Sequence, residues 1–126
     1  MLKNFLNKNQ DNFFFVFRVI IGLLFLLHGW MKIGTIMSFD LGSLMFYAGI
    51  IEIVGGLFII IGLFTQEVAF IAAIEMLFAY FMSHAGNGWS PLANKGEAAV
   101  LFFVAFLILA GHGAKKWSVD RMRSKN

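Results

Sequence analysis

The chain has 126 residues, 60 % of them hydrophobic and 13 % charged, with a formal net charge of +3. Such a composition leaves room for one domain at most, excludes a disordered chain and points away from an ordinary soluble domain to a membrane protein. It contains no cysteine, which excludes disulfides, thiol redox chemistry, Fe–S clusters and cysteine-ligated zinc, so any redox role needs a bound cofactor or substrate.

Residues 1–12 are polar and carry Lys3 and Lys8. The apolar run that follows, Phe13 to Ile33, is 21 residues long, about 30 Å as a helix. It lacks a small-residue cleavage site and reads as a retained span, not a secretory signal. Arg18, Gly22, Phe25, Gly29 and Lys32 share one arc of that helix, with His28 at its edge, and this face is expected to turn into a bundle. Arg18, about one and a half turns inside the start, is expected either to snorkel to the head groups or to pair with a buried carboxylate. Trp30 suits the interfacial belt at the other end.

After a short link, Gly34 to Ser43, comes the run around which the rest is organised. Leu44 to Phe64 again spans 21 residues and carries one carboxylate, Glu52, near the expected midplane. Helical projection places Gly49, Glu52, Gly55, Gly56, Ile59 and Gly62 on one face, a glycine strip that a neighbouring helix can approach closely, with Ile, Leu and Phe opposite for lipid. A carboxylate at that depth costs at least about 2.5 kcal/mol, which makes function the default reading. The plainer alternative is a protonated Glu that only hydrogen-bonds a neighbouring helix.

The turn Phe64-Thr65-Gln66-Glu67 is expected to make the next span, Val68 to Met82, an antiparallel neighbour. That span carries Glu75 on a face with Ala72, Ala79 and Met82. Glu52 lies thirteen residues before Thr65 and Glu75 ten after it, so their depths differ by only a few ångström and the two carboxylates can face one another. Ser83 to Gly96 holds the only proline and is expected to be an exposed loop on the side of His28 and Lys32. The fourth apolar run, Ala98 to Ala110, has 13 residues, short for a span; it must borrow from Ala93 to Glu97 and from Gly111 to His112 or be re-entrant, and a span is expected because an even number puts both charged termini on one side.

The expected fold is therefore an all-α integral membrane four-helix bundle with spans near 13–33, 44–64, 67–84 and 95–112. An even number of spans puts the N-terminal segment 1–12 and the basic tail 113–126 on one side, expected to be cytoplasmic in a bacterial inner membrane. Five of the ten basic residues lie in the last twelve positions; orientation explains them, and nothing calls for a nucleic-acid partner. Arg121 to Asn126 are expected to be disordered.

On this topology His28, Lys32, His84 and Glu97 gather at the outer mouth, Glu52 and Glu75 lie deep, and Arg18 lies toward the inner side. Glu52 and Glu75 are the candidates for proton handling; Arg18, His28, Lys32, His84 and Glu97 are the candidates for ligand binding. Whether such a buried acid is neutral or is held ionised by Arg18 or Lys32, it suits proton exchange. Each mouth residue alone reads as a helix-end contact with head groups and water, but their concentration on one side argues for a site. His28 and His84 end different helices there, a geometry open to bis-imidazole haem ligation, though no other haem signal accompanies them. Zinc has weaker support still. No HExxH, glycine-rich phosphate loop or nucleophile elbow supports a hydrolase or a nucleotide-binding protein.

The residues as an ordered set carry a further signal. Arg18, His28-Gly29-x-x-Lys32, Glu52-x-x-Gly55-Gly56, Gly62-Leu63-Phe64-Thr65, Met76-x-x-Ala79, Gly96-Glu97-x-Ala99, Gly111-His112-Gly113 and Trp117-Ser118-Val119-Asp120 together resemble the DoxX family of small bacterial membrane proteins. The resemblance runs from about Arg18 to Asp120. It implies a four-helix membrane domain. Relatives are described as subunits of thiosulfate:quinone oxidoreductase, as oxidoreductases induced by catechols or quinones, and as membrane partners in oxidative-stress complexes. The family's recurrent polar positions fall on Arg18, His28, Lys32, Glu52, Glu97 and Asp120, whereas Glu75 is singled out by depth and facing alone. His112 stands where the family commonly has proline between two glycines, which bears only on the local turn.

Three functions are compatible with these residues. The first is a redox-linked subunit that binds a quinone or similar small aromatic and supports a soluble oxidoreductase partner; a quinone couple moves protons with electrons, which fits a buried acid connected to a wet mouth. The second is a proton-coupled small-molecule transporter, for which a homo-oligomer with a continuous polar path would speak. The third is a non-catalytic anchor that assembles a partner enzyme at the bilayer.

Overall fold

Long apolar runs fold as helices in a bilayer because its core offers no water to backbone N–H and C=O groups, and a helix satisfies them within one segment. The computed structural model describes residues 1–125, which are all-helical: α1 (Leu2–Lys8), α2 (Gln10–Trp30), α3 (Ile33–Met37), α4 (Leu44–Ile61), α5 (Thr65–Ser83), a 3-10 turn (Ala85–Asn87), α6 (Glu97–His112) and α7 (Val119–Ser124). Helices α2, α4 and α5 with its 3-10 extension are long and apolar enough to cross a membrane. The 16-residue α6 is shorter, about 24 Å, yet packs extensively along α5. It borrows Gly111 and His112 as expected but only Glu97 at its start. Ala93 to Lys95 belong instead to the preceding loop, where Asn94 is buried.

The bundle consists of two close helix pairs, α2 with α4 and α5 with α6, joined by α4 against α5 and by a slight contact of α2 with α6. Glycine makes the first pair possible. A Cβ added at Gly56 would stand 2.7 Å from the Leu26 nitrogen and 2.8 Å from the Gly22 oxygen, and one at Gly29 would stand 2.8 Å from the Ile53 nitrogen. Backbones approach this closely in membranes because packing, not hydrophobic exclusion, draws helices together there. The expected faces are the buried ones: Arg18, Gly22, Phe25 and Gly29 on α2, and Gly49, Glu52, Gly55, Gly56 and Ile59 on α4. From α5 come Ala69, Ala72, Ala73 and Met76. Met82, expected on that face, is exposed, because six residues beyond Met76 carries it about a third of a turn off the stripe.

Helix ends differ from the sequence reading where distant residues intervene. Gly62, at φ 73°, ends α4, and Thr65 already begins α5, so the turn is Gly62 to Phe64 rather than Phe64 to Glu67. Asp120 is the reason: its carboxylate accepts the N–H groups of Phe64 at 2.7 Å and Thr65 at 2.9 Å, satisfying donors that every helix start leaves free. Its own N–H donates to the Gly62 oxygen at 2.9 Å. The tail is thereby ordered. Arg121 to Ser124, expected to be disordered, are helical, with Ser118 Oγ accepting the Arg121 N–H; Asn126 lies outside the described residues.

Candidate functional site

Lys32 sits in the turn between α2 and α3, just beyond the end of α2. The return of the chain through α3 lays Ile36 and the Lys32 stem over Gly49 of α4, where an added Cβ would stand 2.8 Å from Ile36 Cδ1 and 3.2 Å from Lys32 Cβ. This close seat lets the Lys32 ammonium reach past the glycine to Glu52. Nζ donates to Glu52 Oε2 at 2.7 Å, and to the His28 carbonyl oxygen at 3.3 Å. The two side chains are 18 % and 5 % exposed, so the pair runs from the wet helix end to the bundle interior. An ionised carboxylate there is compensated by a charge-assisted bond rather than left to lipid.

Glu75 completes the cluster from α5. Its carboxyl lies close enough to those of Glu52 and to Lys32 for the charges to interact. Its Oε2 is buried and has no hydrogen-bond partner among the described residues. One cation thus faces two carboxyl groups, Glu52 and Glu75, inside the bundle. Aromatic rings join α2 to α6. The His28 ring meets Phe102 edge-on at 5.3 Å, Phe25 packs on Phe106 at 4.6 Å, and Phe102 stacks on Phe106 at 5.8 Å.

The other expected site residues are placed differently. His84 Nδ1 lies 3.2 Å from the Asn94 carbonyl oxygen, and Glu97 is exposed at the first position of α6. Neither makes a hydrogen bond or ion pair to Lys32 or Glu52 among the described residues. Arg18, expected to snorkel or to pair with a buried acid, does neither. It is fully buried and donates to four backbone carbonyls: Ala114 at 2.6 Å, Trp117 at 2.8 Å, Lys116 at 3.1 Å and Ile60 at 3.3 Å. Asp120 serves the α4–α5 turn.

Asn94 is the polar residue that sequence reasoning passed over. It donates to Tyr80 Oη and to the Gly88 oxygen and accepts the Gly96 N–H, which holds the loop onto α5 and starts α6. Its only sequence signal was membership of a cluster of turn formers.

The DoxX family model matches residues 13–85, the part that holds α2 to α5 with Lys32, Glu52 and Glu75; Glu97 and Asp120 lie beyond it. A protein of Haemophilus influenzae, described as an uncharacterized protein, is 36 % identical over 127 residues, covering 93 % of this chain and 95 % of that one. No solved structure matches.

Proposed function

The chain belongs to the DoxX family of membrane proteins, and we propose that within it this member is a redox-linked subunit, binding a quinone-like ring at the Lys32 end of the bundle and exchanging its protons through Glu52 and Glu75. The observation that carries the reading is the Lys32–Glu52 pair at 2.7 Å, with the Glu75 carboxyl beside it, whose buried Oε2 has no hydrogen-bond partner among the described residues. A quinone reduced by two electrons takes up two protons. No residue of this chain is a redox centre, so the electrons come from a partner oxidoreductase and the protons are what this subunit handles.

The residues present fit such a ligand. The rings of His28, Phe25 and Phe102 offer planar apolar contact, His28 and Lys32 supply donors for a carbonyl oxygen, and the orphaned Glu75 oxygen supplies a proton-exchange partner. Lys32 positions and hydrogen-bonds; Glu52 relays between it and Glu75; His84 and Glu97 extend the polar mouth at the same end. In this reading both termini are cytoplasmic and the protein lies in the bacterial inner membrane.

The two acids separate chemistry from packing. Glu52→Gln removes half of an ion pair, whereas Glu75→Gln leaves the Lys32–Glu52 pair in place and preserves shape. Quinone-dependent turnover of the complex reconstituted with Glu75→Gln is expected to fall roughly 100- to 10,000-fold, with thermal stability in detergent unchanged. Near-normal turnover, in an assay shown to require this subunit, would remove the carboxyl cluster from the chemistry and leave the anchor function ahead.

A further inference from the structure

At the other end of the bundle the tail borders an open cleft of about 700 Å³ between the start of α2, the end of α4 and residues 116–125. Three cations, Lys116, Arg121 and Lys125, line it against one carboxylate, Asp11. Ile61, Trp117 and Met122 form an apolar side, and these large hydrophobic side chains are 46 %, 60 % and 68 % exposed. A basic recess with an exposed apolar wall, at the level where apolar helices give way to polar chain, matches a molecule with an anionic head and an apolar tail.

The recess is built, not a chance gathering of surface lysines. Lys116 Nζ donates to Asn12 Oδ1 at 2.7 Å and sits 4.0 Å over the Trp117 ring. The backbone beneath it is held by the fully buried Arg18, which donates to the carbonyls of Lys116 and Trp117. Trp117 in turn packs edge-on against Phe15 of α2 at 4.9 Å. Arg121, by contrast, is exposed and its guanidinium makes no hydrogen bond or ion pair among the described residues. A fixed floor with a free bidentate donor at its rim is what recognition of a phosphate group requires.

We infer that this cleft binds the phosphate head group of an anionic phospholipid. Arg121 and Lys125 take the phosphate oxygens, Lys116 adds charge from the floor, and an acyl chain runs along Ile61 and Met122. Asp11 opposes the head group and tunes the affinity downward. This site is separate from the Lys32–Glu52–Glu75 cluster and does not depend on its function.

The test uses the full chain in neutral detergent, following thermal unfolding while phosphatidylglycerol, phosphatidylcholine or inorganic phosphate is added. Phosphatidylglycerol is expected to raise the unfolding midpoint by several degrees, as a ligand of the folded state does, and the other two to leave it unmoved. The double variant Arg121→Gln/Lys125→Gln should lose most of that shift. Lys3→Gln/Lys8→Gln, which removes the same charge from the same end of the molecule outside the cleft, should keep it. Both pairs alter exposed side chains, so each variant folds and can be compared. Asp11→Asn should reach the same shift at a lower lipid concentration. Equal losses in the two double variants, or an equal response to phosphatidylcholine, would overturn the site; a response to inorganic phosphate alone would overturn the lipid.

Discussion

Glu52 and Arg18 are both buried charges in an apolar bundle, and they are satisfied in opposite ways. Glu52 receives a counter-charge, Lys32, brought from the helix end. Arg18 makes no ion pair among the described residues and instead binds four carbonyl oxygens from two parts of the chain, with the Asp120 charge acting from farther off. A guanidinium suits that task because its planar fork presents several donors at fixed angles, where an ammonium offers a point charge. The segment it holds is strained: Lys115 and Trp117 have φ of 59° and 54°, a left-handed conformation that costs a non-glycine residue about 1–3 kcal/mol. Bonds to the carbonyls of Ala114, Lys116 and Trp117 offset it. Arg18→Lys is therefore expected to release the tail although it keeps the charge. Limited proteolysis within residues 114–125 should accelerate and stability in detergent should fall by about 2–4 kcal/mol. Unchanged protection of the tail would mean that the Asp120 contacts alone hold it.

At the level of elements, the α2–α4 contact is set by missing side chains. Gly22, Gly29 and Gly56 allow the two backbones to touch, and a Cβ at Gly56 has backbone on two sides with nowhere to move. Gly56→Leu should push the helices apart and cost about 1–3 kcal/mol or more, and it should also lengthen the Lys32–Glu52 contact that depends on the same approach. Gly111 is the internal control: it lies in the last turn of α6 with nothing within 4 Å of an added Cβ. Gly111→Ala should be neutral or stabilise by about 0.5–1 kcal/mol through the lower backbone entropy of alanine. Thermal unfolding of the two variants side by side checks both signs. Loss of stability at Gly111 equal to that at Gly56 would contradict packing as the cause.

For the molecule as a whole, charge is divided between its two ends. Lys3, Lys8, Lys115, Lys116, Arg121, Arg123 and Lys125 lie toward the end where α2 begins and α6 finishes, against Lys32 and Lys95 at the other. Such a bias orients helices with the basic end cytoplasmic. Reporter fusions after Asn126 are expected to read cytoplasmic and fusions at Gly88 periplasmic. The reverse pattern would turn the Lys32 mouth to the cytoplasm and place the lipid cleft in the outer leaflet. α6 is the element on which the even count rests, and its 16 residues would need the local thinning or snorkelling that short helices use to reach across.

What the sequence by itself determined is the set of long helices and the faces that α2 and α4 bury. Apolar length and the 3.6-residue period express demands that act on every residue of a span, so Gly22, Phe25 and Gly29 on α2, and Glu52 with its glycines on α4, were legible without coordinates. It also narrowed the charge partner of Glu52 to Arg18 or Lys32, but the choice of Lys32 was made by α3, which turns the lysine stem back over Gly49. The tertiary structure alone decided where α5 starts, since its N–H groups are capped by Asp120 from 55 residues away. It alone decided the role of Arg18, whose acceptors lie 96 to 99 residues on in the tail. The physical reason is the same in both cases. Every residue carries the same backbone N–H and C=O, so a side chain that binds backbone leaves no pattern in its partners, and only the folded path of the chain shows which of them it meets.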